Sequence, residues 1–233
     1  MNVPLKERIL LEDNHLLVVN KLPSELVQGD QTGDEPLSER LKKYLKEKYQ
    51  KPGNVFLGVV HRLDRPVSGA VIFARTSKAL SRLNALVKER KIEKIYWAIV
   101  KNTPPEQAGT LKHFLVRDAK KNKSFAYSNP VPNSKEARLS YRVIAQSDSY
   151  YLLEINLHTG RHHQIRAQLA AVGCPIKGDL KYGAPRSNKD ASISLHARSL
   201  NFEHPVRKEP VHLTADPPDE TLWNFFLKKL KKK

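Results

Sequence analysis

Short runs of apolar and β-branched residues recur along the chain, each closed by Gly, Pro or clustered polar residues, and this punctuation restricts it to a sheet-rich fold. The segment HLLVVN at 15–20 reads as a buried strand. Further strands are expected at 54–60, 70–74, 92–100, 111–116, 138–145, 150–157, 192–198 and 211–214. Helical spacing interrupts them. Asp34-Glu35-Pro36 opens a helix with Leu37, Leu41, Tyr44 and Leu45 on one side. Ser77 is placed to cap a second helix through Leu80, Leu83, Leu86 and Val87. Thr159-Gly160 is placed to cap a third, with Ile165, Leu169 and Val172 on one face and Gly173 and Pro175 as its stop, and 219–229 closes the chain as a fourth. The polar, basic stretch 120–135 is expected to be a loop or loose hairpin. Many strands and few helices predict a mixed, mainly antiparallel α/β (α+β) fold with flanking helices. No linker divides it, so one domain over 1–233 is expected, with a basic tail at 227–233.

Charge then narrows the partner. Among 233 residues there are 41 Lys plus Arg against 24 Asp plus Glu, a formal net charge of +17. The tail lysines account for only part of this, so the body itself should meet a polyanion. A membrane surface is disfavoured because no basic amphipathic helix carries a bulky aromatic face. The single cysteine, Cys174, excludes an internal disulfide framework and a multi-cysteine zinc site. The opening MNVPLKERILLEDNH is charged and contains no apolar targeting stretch, so a cytoplasmic location is expected.

Chemistry concentrates in two polar segments. His61-Arg62-Leu63-Asp64-Arg65-Pro66-Val67-Ser68-Gly69 lies between apolar strands, with one carboxylate among three basic side chains. Neighbouring positive charge favours the ionised carboxylate. Asp64 therefore serves either as a reactive group or as a structural partner of Arg62 or Arg65, and spacing alone leaves both open. A kinase catalytic loop is excluded, since Leu63 separates Arg62 from Asp64 and no metal-binding Asn, DFG or Gly-rich loop accompanies it. The second segment, His158 to Arg166 (HTGRHHQIR), combines a glycine at an expected helix start with cationic side chains, among them Arg161 and His163. That suits phosphates or a remote carboxylate. A metal pair of His158 and His162 is disfavoured, because no carboxylate or cysteine stands near to complete its ligands. On the strand at 92–100, Ile95, Trp97 and Ile99 share one face, expected to be the core face. Lys94, Tyr96 and Ala98 share the other, where Tyr96 is either a stacking platform or an ordinary half-buried tyrosine.

Taken together, these segments resemble a family. HRLDRPVSG at 61–69 with AVIFART, KIYWAIV at 94–100, HTGRHHQIRAQLA at 158–170, GDLKYGA at 178–184 and SLHA at 194–197 follow one another in the order of the RluA-type pseudouridine synthase motifs. LLEDNHLLVVNK near the start fits as well. The resemblance implies a pseudouridine-synthase-like antiparallel sheet with a central active-site cleft. It also implies Asp64 as catalytic carboxylate, Arg166 as its basic partner and Tyr96 as the active-site tyrosine. Leu195 would pack near the base, and Arg62 would fill the gap left by a flipped nucleotide, with His61 and Arg65 in support. Val67 stands where the family has Thr, and Asn20-Lys21-Leu22-Pro23 replaces Asn-Lys-Pro. Longer relatives carry an S4-type RNA-binding domain, which is not expected here. The implied activity is isomerisation of uridines in structured RNA, ribosomal or transfer, by a monomer without cofactor, metal or obligatory protein partner. A non-catalytic RNA assembly factor and an RNA glycosylase are the competing readings.

Overall fold

The computed structural model describes residues 3–231. The chain runs through β1 (Ile9–Glu12), β2 (Leu16–Lys21), α1 (Leu37–Lys48), β3 (Gly58–Val59), β4 (Ser68–Ala74) and α2 (Ser77–Lys88). There follow β5 (Glu93–Val100), β6 (Ala108–Asp118), β7 (Lys123–Tyr127), β8 (Lys135–Gln146), β9 (Tyr151–Leu157) and α3 (Gln164–Ala171). The last elements are β10 (Leu195–Glu203), β11 (Pro210–Thr214) and α4 (Thr221–Leu230). Two compact units result, one of residues 1–92 and 197–216, the other of 93–196 and 217–233.

In the first unit β2 pairs antiparallel with β1 and β4, β3 with β4, and β10 with β11. Leu16, Leu17, Val18 and Val19 are all fully buried, so both faces of β2 are covered, as a continuous apolar run requires. Leu83 and Ala79 of α2 pack on Leu16, Val18, Ile72, Leu200 and Phe202 to form one core. Gly69 adopts φ +118, and a Cβ there would collide with the backbone N and O of Ala197 on β10. This glycine is required by the approach of a neighbouring strand rather than by the turn before it.

In the second unit the ladder runs β5-β9-β8-β6-β7, antiparallel at every pairing. Trp223 and Phe226 of α4 pack on Trp97, Ile99 and Leu152. The antiparallel α+β class expected from the punctuated sequence is the one observed.

Several local expectations are corrected. Thr76 caps α2, its Oγ1 accepting from Ala79 N at 3.1 Å, and Ser77 is the first helical residue. The third helix starts at Gln164, four residues after Gly160, with His163 in the left-handed region at φ 52. The stretch 54–60 supplies only the two-residue β3, and Phe56 is exposed. The stretch 120–135 contains a regular strand, β7, because Ser124 and Ala126 turn inward while Phe125 and Tyr127 turn outward. That alternation was obscured by the surrounding lysines. The face of β5 that holds Tyr96 and Ala98 is also buried, so the strand has no wet side at these positions. The expected basic tail begins inside α4, where Leu227 and Leu230 pack on the Trp223 cluster. Lys232 and Lys233 lie outside the described residues.

Candidate active site

The first unit presents Asp64 on a turn whose residues alternate in burial. Leu63 and Val67 point inward, Arg62 and Arg65 are exposed, and Asp64 is half-buried between them. Val67 N–H donates to the Asp64 carbonyl at 3.0 Å and closes the turn. Burial of Val67 explains how an apolar residue is accommodated where the family has Thr. His61 Nε2 accepts from Ile72 N at 3.2 Å, so His61 is fastened to β4, and Arg65 pairs with Asp34 at 2.7 Å.

Lys21, which sequence reasoning did not select, anchors this turn. Its side chain is wholly inaccessible, and Nζ donates to the carbonyls of Leu22 at 2.9 Å and Arg65 at 3.1 Å. Ser24 N donates to the same Arg65 carbonyl at 2.9 Å. The residue after Asp64 is therefore held from two sides. Glu25, gripped by Arg8 at 2.7 and 3.0 Å and by Arg40 at 2.5 Å, accepts from Leu22 N and fixes the segment leaving β2. The available signal was a lysine directly ending an apolar strand, in the segment Asn20-Lys21-Leu22-Pro23 that stands where the family has Asn-Lys-Pro.

Burial pushes Lys21 down to about 7, against the opposing pull of the Glu25 and Asp64 charges. A neutral amine still has two N–H donors, enough for both carbonyls. The unfolded chain, with an ordinary lysine near 10.5, binds one proton more than the folded chain between about pH 7 and 10.5. Unfolding free energy should therefore rise with pH through that window and be unaffected by this group below it. Denaturant titrations at pH 7 and 9.5 should show the rise in wild type and a smaller one in Lys21→Met. An equal rise in both would mean that Lys21 stays charged.

The second unit contributes Tyr96, Arg166, Leu195, Arg161 and His163. Tyr96 lies opposite Ile155 on β9, and Leu195 begins β10; both are buried. Lys94 is partly buried, and its pKa is lowered by desolvation. Arg166, on α3, is gripped in bidentate fashion by Asp179: Nε to Oδ2 at 2.7 Å and Nη2 to Oδ1 at 2.9 Å, with both side chains buried. Its guanidinium carbon sits 5.0 Å from the centre of the Tyr182 ring. Tyr182 Oη accepts from Ser124 N at 2.8 Å and lies 3.0 Å from His163 Nδ1. Burial, followed by the Arg166 charge, depresses His163 to about 2, so its ring is neutral and shares a hydrogen bond with the Tyr182 hydroxyl without taking up its proton. Arg161 Nε donates to the Glu136 carbonyl at 3.0 Å.

Asp179 and Tyr182 both come from GDLKYGA, a segment that contributed no site residue from sequence. Gly178 and Gly183, at φ +90 and +97, bracket the short 3-10 turn that delivers them. The backbone near Gly160 does not form the expected helix-start anion site. There Thr159 and Gln164 hydrogen-bond each other at 2.7 Å, and Arg161 N donates to Gln164 Oε1 at 3.0 Å. His158 faces Ser140 and His162 faces Ser124 and Asn122, so the two rings do not converge. Among the described residues no group of three His, Cys, Asp or Glu is placed to hold a metal ion.

The first unit thus holds a carboxylate on an anchored turn, and the second holds a buried strand tyrosine and an arginine fixed on a helix, each within antiparallel ladders. The chain belongs to the RNA pseudouridylate synthase family, whose model it matches over residues 15–171. It is 40% identical over 167 residues to an uncharacterized RNA pseudouridine synthase of Chloroflexus aurantiacus, covering 71% of this chain and 52% of that one. To ribosomal large subunit pseudouridine synthase C of Buchnera aphidicola it is 32% identical over 238 residues, covering 99% and 72%. The chain thus spans about half the length of the first relative. Human RNA Pseudouridylate Synthase Domain Containing 4 superposes with a TM-score of 0.79 at 25% identity, over 97% of this chain and 94% of that one.

Proposed function

We propose that this chain isomerises specific uridines to pseudouridine in structured RNA, with Asp64 as the catalytic carboxylate and residues 1–233 acting as one catalytic domain. The supporting observation is that the family match contains Asp64, Tyr96 and Arg166, each held by buried neighbours. The C1′–N1 bond is cut, the uracil turns, and C5 joins C1′. Asp64 either attacks C1′ or removes a sugar proton to give a glycal. Glycosidases need a second carboxylate to activate water. Here the leaving base is itself the acceptor, so one carboxylate serves and water must be kept away. Arg166, oriented by Asp179 and Tyr182, supplies the positive charge that complements Asp64. Tyr96 stacks on the detached uracil beside Leu195 and assists loss of the C5 proton. Arg62, exposed beside Asp64, fills the space of the flipped nucleotide, with His61, Arg65, Arg161 and His163 shaping the surroundings. No hydride, electron or phosphoryl group moves, so the chemistry calls for no cofactor.

Bringing the uridine out of its stack costs a few kcal/mol, which phosphate contacts from the basic surface offset. Ribosomal RNA is the favoured substrate, given the names of the relatives, with transfer RNA second. The proposed form is a cytoplasmic monomer. Mapping pseudouridines in total RNA from a deletion strain and its parent tests this directly. A missing pseudouridine restored by the gene supports the reading; free uracil or abasic RNA would establish a glycosylase instead.

RNA binding should weaken steeply with salt. With about five phosphate contacts the slope of log affinity against log salt should be about −3.5 on single strands. Truncation after Leu230, which spares the leucines packed on Trp223, should reduce the slope by up to about 2 without changing the uridine modified. A slope near zero in wild type would remove the polyanion argument.

A further inference from the structure

The β6–β7 hairpin has two unlike faces. Its inner face, through Ser124, Ala126 and Leu115, packs on Tyr182, Ala167 and Ala170, and so supports the helix that carries Arg166. The outer face is partly open to solvent. Phe125 is 37% and Tyr127 41% exposed, and they occupy alternate positions of β7. The register sets Tyr127 opposite Phe114 and Phe125 opposite Val116, while Lys112 stands opposite Arg138. Two phenylalanines and a tyrosine therefore share one face of an edge hairpin.

Cations attend the rings. Lys112 Nζ lies 5.8 Å from the Phe114 ring centre and pairs with Glu136 at 3.3 Å, and Lys123 Nζ reaches both the Phe125 ring, at 5.6 Å, and the Tyr182 ring, at 5.0 Å. Single exposed aromatics are ordinary, but rings grouped on one strand face form a patch of the kind that marks an interaction site. A protein partner would favour an apolar patch with few charges at its centre. Aromatic rings interleaved with lysines on a strand are the arrangement that binds single-stranded nucleic acid, bases on the rings and phosphates on the ammonium groups.

We propose that this outer face, built on Phe114, Phe125 and Tyr127 with Lys112, Lys123 and Arg138, is a second RNA-binding surface, on which unpaired nucleotides outside the reacting uridine stack. The proposal rests on the reading of the chain as an RNA isomerase and adds to it a contact away from the reaction chemistry. Stacking makes the surface tolerant of sequence, so it contributes affinity and requires single-stranded character in the RNA beside the target.

A labelled twelve-residue oligouridylate is the probe, followed by fluorescence anisotropy with the full chain. Phe125→Ala/Tyr127→Ala removes two exposed rings and no charge, so the fold and heparin binding should persist. Oligouridylate affinity should fall about tenfold or more, and Phe125→Trp/Tyr127→Phe should retain it. A change under about twofold, failure of the wild type to bind the oligonucleotide, or a wild-type dimer that the alanine variant converts to monomer would each overturn the proposal. The pseudouridine map of the deletion strain separates the two readings. If the wild-type gene restores a pseudouridine while the alanine variant binds oligouridylate normally, only the stacking surface is lost. If the gene restores none, the enzymatic reading fails.

Discussion

Asp64→Asn should lower pseudouridine formation by roughly a thousandfold or more, the size of loss seen when an essential nucleophile is removed. The substitution keeps shape and removes charge and nucleophilicity, and so isolates the chemical contribution. The turn should survive it. Its closing bond uses the Asp64 backbone carbonyl, and its anchor is the Arg65 carbonyl held by Lys21 and Ser24, none of which involves the carboxylate. Leu63 and Val67 continue to bury the flanks. One electrostatic consequence follows within the same unit. Asp64 is one of two carboxylates pulling the Lys21 proton on, so without it Lys21 becomes neutral more readily, and its two carbonyl contacts need no charge. Circular dichroism and RNA affinity should stay near wild type while turnover disappears. An asparagine enzyme retaining more than about a hundredth of the wild-type rate would show that Asp64 is not the reacting group.

What could be read in the sequence follows a physical division. Strands such as HLLVVN and AVIFA are legible because burial on both faces demands uninterrupted apolar side chains, and the structure buries every one of them. β7 was not legible because an edge strand need satisfy only one face, and Ser124 and Ala126 satisfy it with small residues. The candidate site divides in the same way. Residues expected to meet substrate stand out as polar groups in apolar surroundings: Asp64, Tyr96 and Arg166. Residues that position them do not. Lys21 looks like an ordinary strand-ending lysine, and Asp179 sits 13 positions from Arg166 with no periodicity linking them. Only the folded chain shows that one grips the turn after Asp64 and the other the guanidinium. Thr76 rather than Ser77 as the cap of α2 is a smaller case, since two adjacent hydroxyl residues cannot be ranked by type.

Arg166→Met should abolish turnover and also destabilise the protein, by about 3–5 kcal/mol, as expected when one member of a buried ion pair is removed. Methionine preserves the aliphatic length and leaves Ile165 and Leu169 to pack as before, so sequence alone would suggest a neutral change in stability. The structure argues otherwise, because Asp179 is 1% exposed and both of its oxygens are occupied by the guanidinium. Without that cation its carboxylate is left desolvated in a buried site. The double variant Arg166→Met/Asp179→Leu removes both charges and should regain most of the stability, since apolar replacements of buried ion pairs are often neutral or stabilising. It should not regain turnover, because the positive charge proposed to complement Asp64 is still missing. Asp179→Asn on its own keeps that charge and weakens its orientation, so it should lie between, with reduced turnover and RNA affinity intact. Thermal unfolding and single-turnover rates on the same preparations separate the two roles. Recovery of both stability and turnover in the double variant would assign Arg166 to the fold alone, and the cation serving Asp64 would then have to be sought among Arg62, Arg65 and Lys94.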